Sequence, residues 1–475
     1  MPGKFEPADP APRQKKLAEG VAEAIARDVI AMGWPVGRSV GSMQDLLVRY
    51  GVSHAVLREA VRQIEQNGLA VMRRGAGGGL VIAQRPEDVA AQTLATYLQL
   101  VDVDARELIA ARHLAEDAMI RAASQRVTAA EAERLRALVG ALAGTLPEIE
   151  LIIRYNRFMN TLADVAGNPL VSVMIKAAFR ALTPALAPAD RDTVGPRAEF
   201  VRRWAEVTET IIAGDSAAGI EILRATRPQM ERNSILRAEL RRRQAQAGAA
   251  TLIATEILEA VDEGRGRKHS QLVALSIARN IAANGWPKGH HLGLEPALLS
   301  EYQVSRNIFR EAARILEVHG VCSAKRGQRG GFIVGRPRPD YAVESAITCL
   351  RYLGVRRQQV GEMRLALQPH MTCLAAVAPG ARGAEALSAV LCDGSEAGAA
   401  LRFLHALGPA AGNRVMALMN AVTLGVETDT EAELPSAGEA GALKAREALA
   451  AVVAGDGPLA RRVTLDLCRL DYPDL

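Results

Sequence analysis

Two nine-residue stretches carry the side chains best suited to chemistry: VSHAVLREA at 53–61 and VSRNIFREA at 305–313, separated by 305 − 53 = 252 residues. Each opens on a serine hydroxyl and places arginine at helical spacing, Arg58 in the first and Arg306 and Arg310 in the second. A guanidinium is a planar fork of donors that can engage two acceptors at once on a guanine edge or a phosphate. His54, which stands where the second stretch has Arg306, offers no such fork when neutral. Catalytic sets are missing from the sequence. The eight histidines form no HxxxH pair, and there is no GxSxG elbow or glycine-rich phosphate loop opening a helix. An enzyme is therefore not expected. All five cysteines lie in the second half without the close spacing of a zinc or redox pair, so they are expected as reduced, buried thiols.

The elements that must hold these residues can be read outward from them. A periodic helix over 16–32 stops at Gly33-Trp34-Pro35, and a short helix over 42–49 ends at Gly51. Ser53 then sits at an N-cap, and the next helix, 55–67, buries Val56, Leu57, Ala60, Val61 and Ile64 before Gly68 stops it. LAVMRRGAGGGLVIAQ reads as a short hairpin around a glycine cluster. The same order returns 252 residues later, with Gly285-Trp286-Pro287, Arg310, Gly320 and Gly327 in register. Two winged helix-turn-helix domains are expected, at 12–84 and 266–336. In such a unit the helix after the turn enters the major groove, so Ser53, His54, Ala55 and Arg58, and Ser305, Arg306, Asn307 and Arg310, are the candidate DNA-reading residues. Arg73, Arg74, Gly77 and Gly78, with Lys325, Arg326 and Gly330, are the candidate wing contacts to phosphate and minor groove.

The rest of the 475 residues is aliphatic: 49% hydrophobic but only 4% aromatic, with a formal charge of +5 and pI near 9.0. This favours a mainly α protein of three or four domains; the mild charge permits nucleic-acid binding without arguing for it. Helical segments broken at GTLP, AGNP, PALAPADRDTVGPR and AGD suggest an all-α bundle over 86–240, and a shortened one over 338–475. The offset shrinks from 252 to 245 between AGNPL and AGNRV, then to 241 between the AGD triplets, as in an internal tandem repeat with small deletions. A linker over 241–265 joins the copies, and Ile253, Ile257, Leu258 and Val261 in it have helical spacing. The first sixteen residues read as a flexible, proline-rich arm and not a signal peptide. No apolar run is long enough to cross a bilayer, so a cytoplasmic protein, on the nucleoid when bound, is expected.

GVSHAVLREAVRQIEQNGLAVMRRGAGGGLVI and QVSRNIFREAARILEVHGVCSAKRGQRGGFIV resemble the DNA-binding domain of GntR-family transcription regulators. FMNTLADVAGNPL and VTETIIAGDSAAG resemble the FCD-type effector bundle of its FadR-like subfamily. The resemblance implies that Ser53, Arg58, Ser305, Arg306 and Arg310 contact operator DNA. It also implies a basic contact from the helix before the turn, where this chain has Gln44 and Pro296. Many members bind a metal through one Asp and three His. Carried over by spacing, those positions are Tyr155, Met159, Trp204 and Thr226 in the first copy and about Ala400, Leu404, Ala445 and Leu467 in the second. These are not ligands for a divalent ion, so no metal and no other cofactor is expected; His405 falls one residue off the inner face.

Arg112 and Arg364, again 252 apart, stand where the subfamily often directs an arginine into its effector pocket. With Tyr155 and Trp204 they are the candidate pocket residues, and a small organic acid or acyl compound is the expected ligand. An interhelical ion pair, with Glu116 in the first copy, is the alternative for Arg112. The expectation as a whole is a transcription regulator, a repressor, that acts as a single-chain pseudo-dimer on an operator with unequal halves. Its alternative is a regulator whose bundles have lost ligand binding and serve as dimerisation scaffold.

Overall fold

The computed structural model describes residues 12–66, 68–73, 75, 78–83, 85–186, 198–246, 269–285, 287–325, 331–378, 382–392, 398–429 and 438–475. The chain forms two compact units, residues 1–90 with 345–355, and residues 91–344 with 356–475.

The first unit opens with α1 (Pro12–Ala31), α2 (Met43–Tyr50) and α3 (His54–Gln66), followed by the antiparallel hairpin β1 (Ala70–Arg73) and β2 (Gly79–Ile82). The apolar stripe Val21, Ile25 and Val29 of α1 packs against α3, where Leu57, Val61 and Ile64 are buried, and Leu80 and Ile82 close the core from β2. Ser42 starts α2 with a reciprocal capping box to Asp45, and Gly51 ends it in the left-handed region at φ 62°. Tyr50 donates to Asp28 at 2.6 Å, tying α2 to α1, and the Glu65 carboxylate accepts the Met72 amide at 2.7 Å, tying the hairpin to α3. The same unit includes buried Cys349, whose thiol burial pushes up to about 12, so it stays protonated.

In the second unit, α5 (Ala105–Arg126), α6 (Ala129–Gly140), α7 (Glu148–Ala166), α8 (Pro169–Leu186), α9 (Ala198–Ile212) and α10 (Ser216–Gln246) form a first bundle, preceded by α4 (Pro86–Leu100). Next come α11 (His269–Ala283), β3 (His291–Gly293), α12 (Glu295–Tyr302), α13 (Arg306–Val318), β4 (Cys322–Lys325) and β5 (Gly331–Val334), with sheet order β3-β5-β4. After α14 (Asp340–Tyr352), a second bundle contains α15 (Arg357–Val377), α16 (Arg382–Cys392), α17 (Ala399–Ala410), α18 (Arg414–Asp429), α19 (Gly438–Val453) and α20 (Gly457–Asp471).

The contacts that shape α1–β2 recur in α11–β5 at an offset of 252. Tyr302 accepts from Asn280 at 3.2 Å, and Glu317 accepts the Ala324 amide at 2.8 Å. Gly331 (φ 131°) lies so close to the Gly293 carbonyl that a Cβ there would meet it at 2.6 Å, and Gly79 crowds the Gly41 carbonyl in the same way. The third strand was not expected from the sequence. Its three residues are too few to show alternation, and its counterpart at Ser39 is only a single bridge to Val81.

Other boundaries also depart from the sequence reading. α1 begins at Pro12, so 12–16 are helical and not part of an arm; proline is tolerated in a first turn, whose amides lack helical partners. α8 continues to Leu186, taking in Pro184, and α10 runs to Gln246 with Pro228 inside it, beyond the expected edge at 240. The expected connecting helix at 253–261 lies outside the described residues.

The two bundles pack through α5 and α8 against α15 and α18. Their polar contacts come in exchanged pairs. Asn168 donates to the Gln359 carbonyl at 2.9 Å, and Asn413 donates to the Glu107 carbonyl at 3.1 Å. Since 359 − 107 = 252 and 413 − 168 = 245, each asparagine reaches the counterpart of the residue its twin reaches, which is the pattern of an isologous contact. Arg414 adds a pair to Glu107 at 2.6 Å, and Arg126 pairs with Glu362. The C-terminal end of α4 belongs to the α11–β5 core: Leu100 is buried there, and Tyr97 stacks on buried His319 with ring centres 6.0 Å apart.

Candidate nucleic-acid interface and effector cavity

Serine caps fix the first turns of α3 and α13. Ser53 Oγ accepts the Val56 amide at 3.3 Å, and Ser305 Oγ accepts the Ile308 amide at 3.4 Å. Apolar residues below each turn anchor the helix, so His54, Ala55 and Arg58, and Arg306, Asn307 and Arg310, are left exposed on the opposite face. Arg58 leans back to donate from Nε to the His54 carbonyl at 3.3 Å. Arg306 and Arg310 instead both approach one carboxylate oxygen, Glu295 Oε1, at 3.2 and 3.7 Å from Nε. Gln44 and Pro296, in the helices before the turns, are exposed. Arg73 and Lys325 are exposed at the strand ends beside the hairpin tips, and Gly78 donates to Gly75 at 2.9 Å in the first tip. Arg74, Gly77, Arg326 and Gly330 lie outside the described residues.

The first bundle encloses a cavity of about 30 Å³, bordered by Ile109, Arg112, His113, Glu116, Leu182, Trp204, Leu223, Thr226, Arg227, Glu231 and Ser234. On that measure a water molecule needs about 10–15 Å³, so the cavity as built has room for about two waters. Arg112 donates from Nε to Glu116 at 2.9 Å and from Nη2 to Tyr155 at 2.7 Å, with the Tyr155 ring 5.4 Å from its guanidinium. The Glu116 pair thus lies within α5, one turn apart, and is not the interhelical pair expected as the alternative. Burial works against the charge of Arg112, but Tyr155 and Glu116 outweigh it and raise its pKa. Burial likewise opposes the Glu116 charge, yet Arg112, His113 and Arg227 hold its carboxyl below the ordinary range. Burial lowers His113 to about 4, so it is neutral at pH 7. Two donors at this cavity lack a hydrogen-bond partner among the described residues, the Trp204 indole N–H and Arg227 Nε. Asp117 and the His113 carbonyl occupy only Arg227 Nη2.

Arg364, the counterpart of Arg112, is 1% exposed and engaged at all three nitrogens by its own bundle. Nε donates to Gln368 at 3.1 Å, repeating the Arg112–Glu116 contact, while Nη1 pairs with Glu427 at 2.7 Å and Nη2 with Asp471 at 2.8 Å. Tyr472 lies under the guanidinium at 5.3 Å and donates to Glu427 at 2.6 Å. Its ring fits only because residue 361 is glycine, since a Cβ there would collide with it. At the matching place, 361 − 252 = 109, the first bundle has Ile109 on its cavity wall. Burial raises Asp471 despite the neighbouring Arg364.

The positions implied for a metal do not fit one. Tyr155 is bonded to Arg112, Thr226 Oγ1 donates to the Leu223 carbonyl, Trp204 carries only a donor, and Met159 is a buried thioether. In the second bundle, Leu404, Ala445 and Leu467 are buried apolar residues, and His405 is exposed. Among the described residues no three His, Cys, Asp or Glu come together as a metal site, and no helix is long and apolar enough to cross a membrane. Sequence reasoning missed Glu295, Asp471 and the two asparagines that join the bundles. The repeated AGN triplet was a usable signal for the asparagines, but it was read as a helix break, a repeat marker and a family resemblance, and not as a contact between the bundles.

The FCD domain family matches residues 107–227, the stretch from α5 into α10 that encloses the cavity. A Mycobacterium gastri protein, RmpR, named as an HTH-type transcriptional regulator, is 28% identical over 130 residues, 27% of this chain and 46% of that protein. The chain therefore matches about half the length of that relative. Among solved structures, Streptococcus agalactiae GntR is 18% identical and covers 43% of this chain and 100% of its own, with a TM-score of 0.34. Lar, which controls the expression of the Listeria monocytogenes agr system and mediates virulence, is 16% identical over 50% of this chain and 99% of its own, with a TM-score of 0.15. Residues 107–227 thus match the FCD domain family, within a chain that is similar to a transcription regulator.

Proposed function

We propose that the protein is a GntR-type, FadR-like transcription regulator, built as a tandem repeat of winged helix-turn-helix domain and effector bundle, that reads operator DNA with both α3 and α13. The observation that carries this is a serine-capped helix with arginines exposed on its first turns beside a short hairpin, at two places 252 residues apart. The FCD match and the similarity to RmpR support the regulatory class. With two reading helices in one chain, a single polypeptide does what a dimer does for other regulators of this type, and the tether raises the local concentration of the second head to about millimolar. His54 against Arg306 makes the two half-sites unequal, and repression is the expected outcome of binding. Selection of bound sequences from a random duplex pool tests this: unlike halves are expected, and His54→Arg should shift the preferred site toward a palindrome. No enrichment at low ionic strength refutes DNA reading, and symmetric halves with the unaltered protein refute the inequality.

The first bundle, on this reading, senses a small carboxylate. Its cavity combines an unpartnered indole N–H and guanidinium Nε, which call for an acceptor, with a volume that must open to admit more than water. A panel of small organic acids and acyl thioesters should include one that raises the unfolding midpoint, and a panel without effect refutes sensing. The engagement of both terminal nitrogens of Arg364 by Glu427 and Asp471 favours the scaffold reading for the second bundle alone.

A further inference from the structure

The two reading helices differ at a further place that the His54/Arg306 exchange does not reveal. We propose that Glu295 is a positioning residue that turns α13 into a guanine reader, and that α3, which has no counterpart to it, contributes affinity with weaker base discrimination. The inference rests on the DNA-reading function proposed above.

Glu295 is the first residue of α12, where the positive end of the helix favours a carboxylate. Its Oε1 is shielded from solvent and makes no hydrogen bond within the described residues. What reaches it are the two arginines of α13, Arg306 Nε at 3.2 Å and Arg310 Nε at 3.7 Å. Arg306 and Arg310 are otherwise exposed, with side-chain exposures of 63% and 66%, so without this oxygen their long side chains would be free to sample many rotamers. Because the nitrogen nearest the carboxylate is Nε in both cases, the terminal Nη1/Nη2 edges of these exposed side chains are left available as forks. Such a fork pairs with O6 and N7 of one guanine. Four residues of helix separate the two, a rise of about 6 Å, so two forks are held at a fixed spacing on one face.

The corresponding residues in the first unit are Met43, since 295 − 252 = 43, and His54. Methionine cannot hold a guanidinium, and Arg58 bonds to its own helix at the His54 carbonyl instead. The carboxylate and the arginine it orients are thus present together in one head and absent together in the other. A carboxylate facing DNA repels the phosphates, so Glu295 should cost non-specific affinity while sharpening base choice.

The test uses the full chain and duplexes that vary only in the half-site selected by α13. Glu295→Met should lower discrimination against a guanine replacement in that half-site by roughly ten-fold. The same variant should bind an unrelated duplex more tightly at low salt. Glu295→Gln, which keeps an acceptor oxygen, should recover part of the discrimination. Met is already accommodated at the matching place in the first unit, and the reciprocal double variant Met43→Glu/His54→Arg should give α3 a guanine preference it lacks. Unchanged discrimination in Glu295→Met, or lost discrimination with no gain in non-specific binding, overturns the role of Glu295. An unaltered protein that ignores duplex DNA overturns the underlying reading as well, and the two failures are distinguished by that control.

Discussion

The two bundles place the same arginine on the same early helix and surround it differently. In the first, Arg112 keeps two neutral or singly charged partners, Glu116 and Tyr155, beside a small cavity with unpartnered donors. In the second, Gln368 replaces the near carboxylate, while Glu427 and Asp471 close on Arg364 from α18 and α20 and Tyr472 covers it. A buried guanidinium has to be neutralised, and there are two ways to do it without a ligand: from its own helix, which leaves space, or from distant helices, which removes it. The same residue at the same helix position can therefore border a cavity in one bundle and form a structural cluster in the other.

The contrast can be broken most forcefully at Arg364. Arg364→Met leaves Asp471 and Glu427 buried without their cation and should cost about 3–5 kcal/mol in urea unfolding, whereas Arg112→Met should cost less, because Arg227 still stands 3.6 Å from Glu116. Equal losses would mean that the two arginines are equivalent. Gly361→Ala should cost about 1–3 kcal/mol by displacing the Tyr472 ring. Crystals of that variant with Tyr472 unmoved would show that the second bundle is looser than described.

Burial also lowers His370 and His405 in the second bundle, but the first bundle has a further acid-sensitive group without a counterpart there. His113 is held neutral down to about 4, against an ordinary value near 6.5, while the second bundle has Leu365 at that place. Between those values the unfolded chain binds a proton that the folded chain does not. The stability associated with His113 is therefore complete above pH 6.5 and is lost as pH falls toward 4, by up to about 1.4 kcal/mol per pH unit. His113→Leu should flatten this slope in unfolding curves taken at pH 5 and pH 7, and an unchanged slope assigns the sensitivity elsewhere. His319, buried beneath Tyr97 and Tyr341, is also lowered to about 4 and should contribute a separate slope of the same sign. Trp204→Phe removes an N–H with no partner to lose among the described residues, so its cost of about 1–2 kcal/mol comes from packing against Tyr155 and Phe158 alone. If the first bundle binds carboxylates, this variant should nevertheless lose the ligand-induced rise in unfolding midpoint.

Much of the architecture was legible because its signals are local. Ser53 and Ser305 announce the starts of α3 and α13, Gly51 ends α2, and Gly79 opens β2 opposite Arg73; each acts within about one helical turn. Proline misled the reading of α1, which begins at Pro12, and of α8, which continues through Pro184, a position that propensity alone marks as a stop. At the sites, the sequence pointed to Arg112 and Arg364 together and had no means of separating them. The partners that separate them, Glu427 and Asp471, are 63 and 107 residues from Arg364 along the chain.

The sequence by itself determined the helices, their caps, the recurring frame and which faces are apolar, because these follow from periodicity and from bonds between near neighbours. The tertiary structure decided which arginine borders a cavity, which pair of arginines shares Glu295, and that Asn168 and Asn413 reach across to each other's bundle. Those outcomes depend on groups distant in sequence meeting in a desolvated setting, where each charge or donor must find whatever partner packing brings near, and no local pattern encodes that meeting.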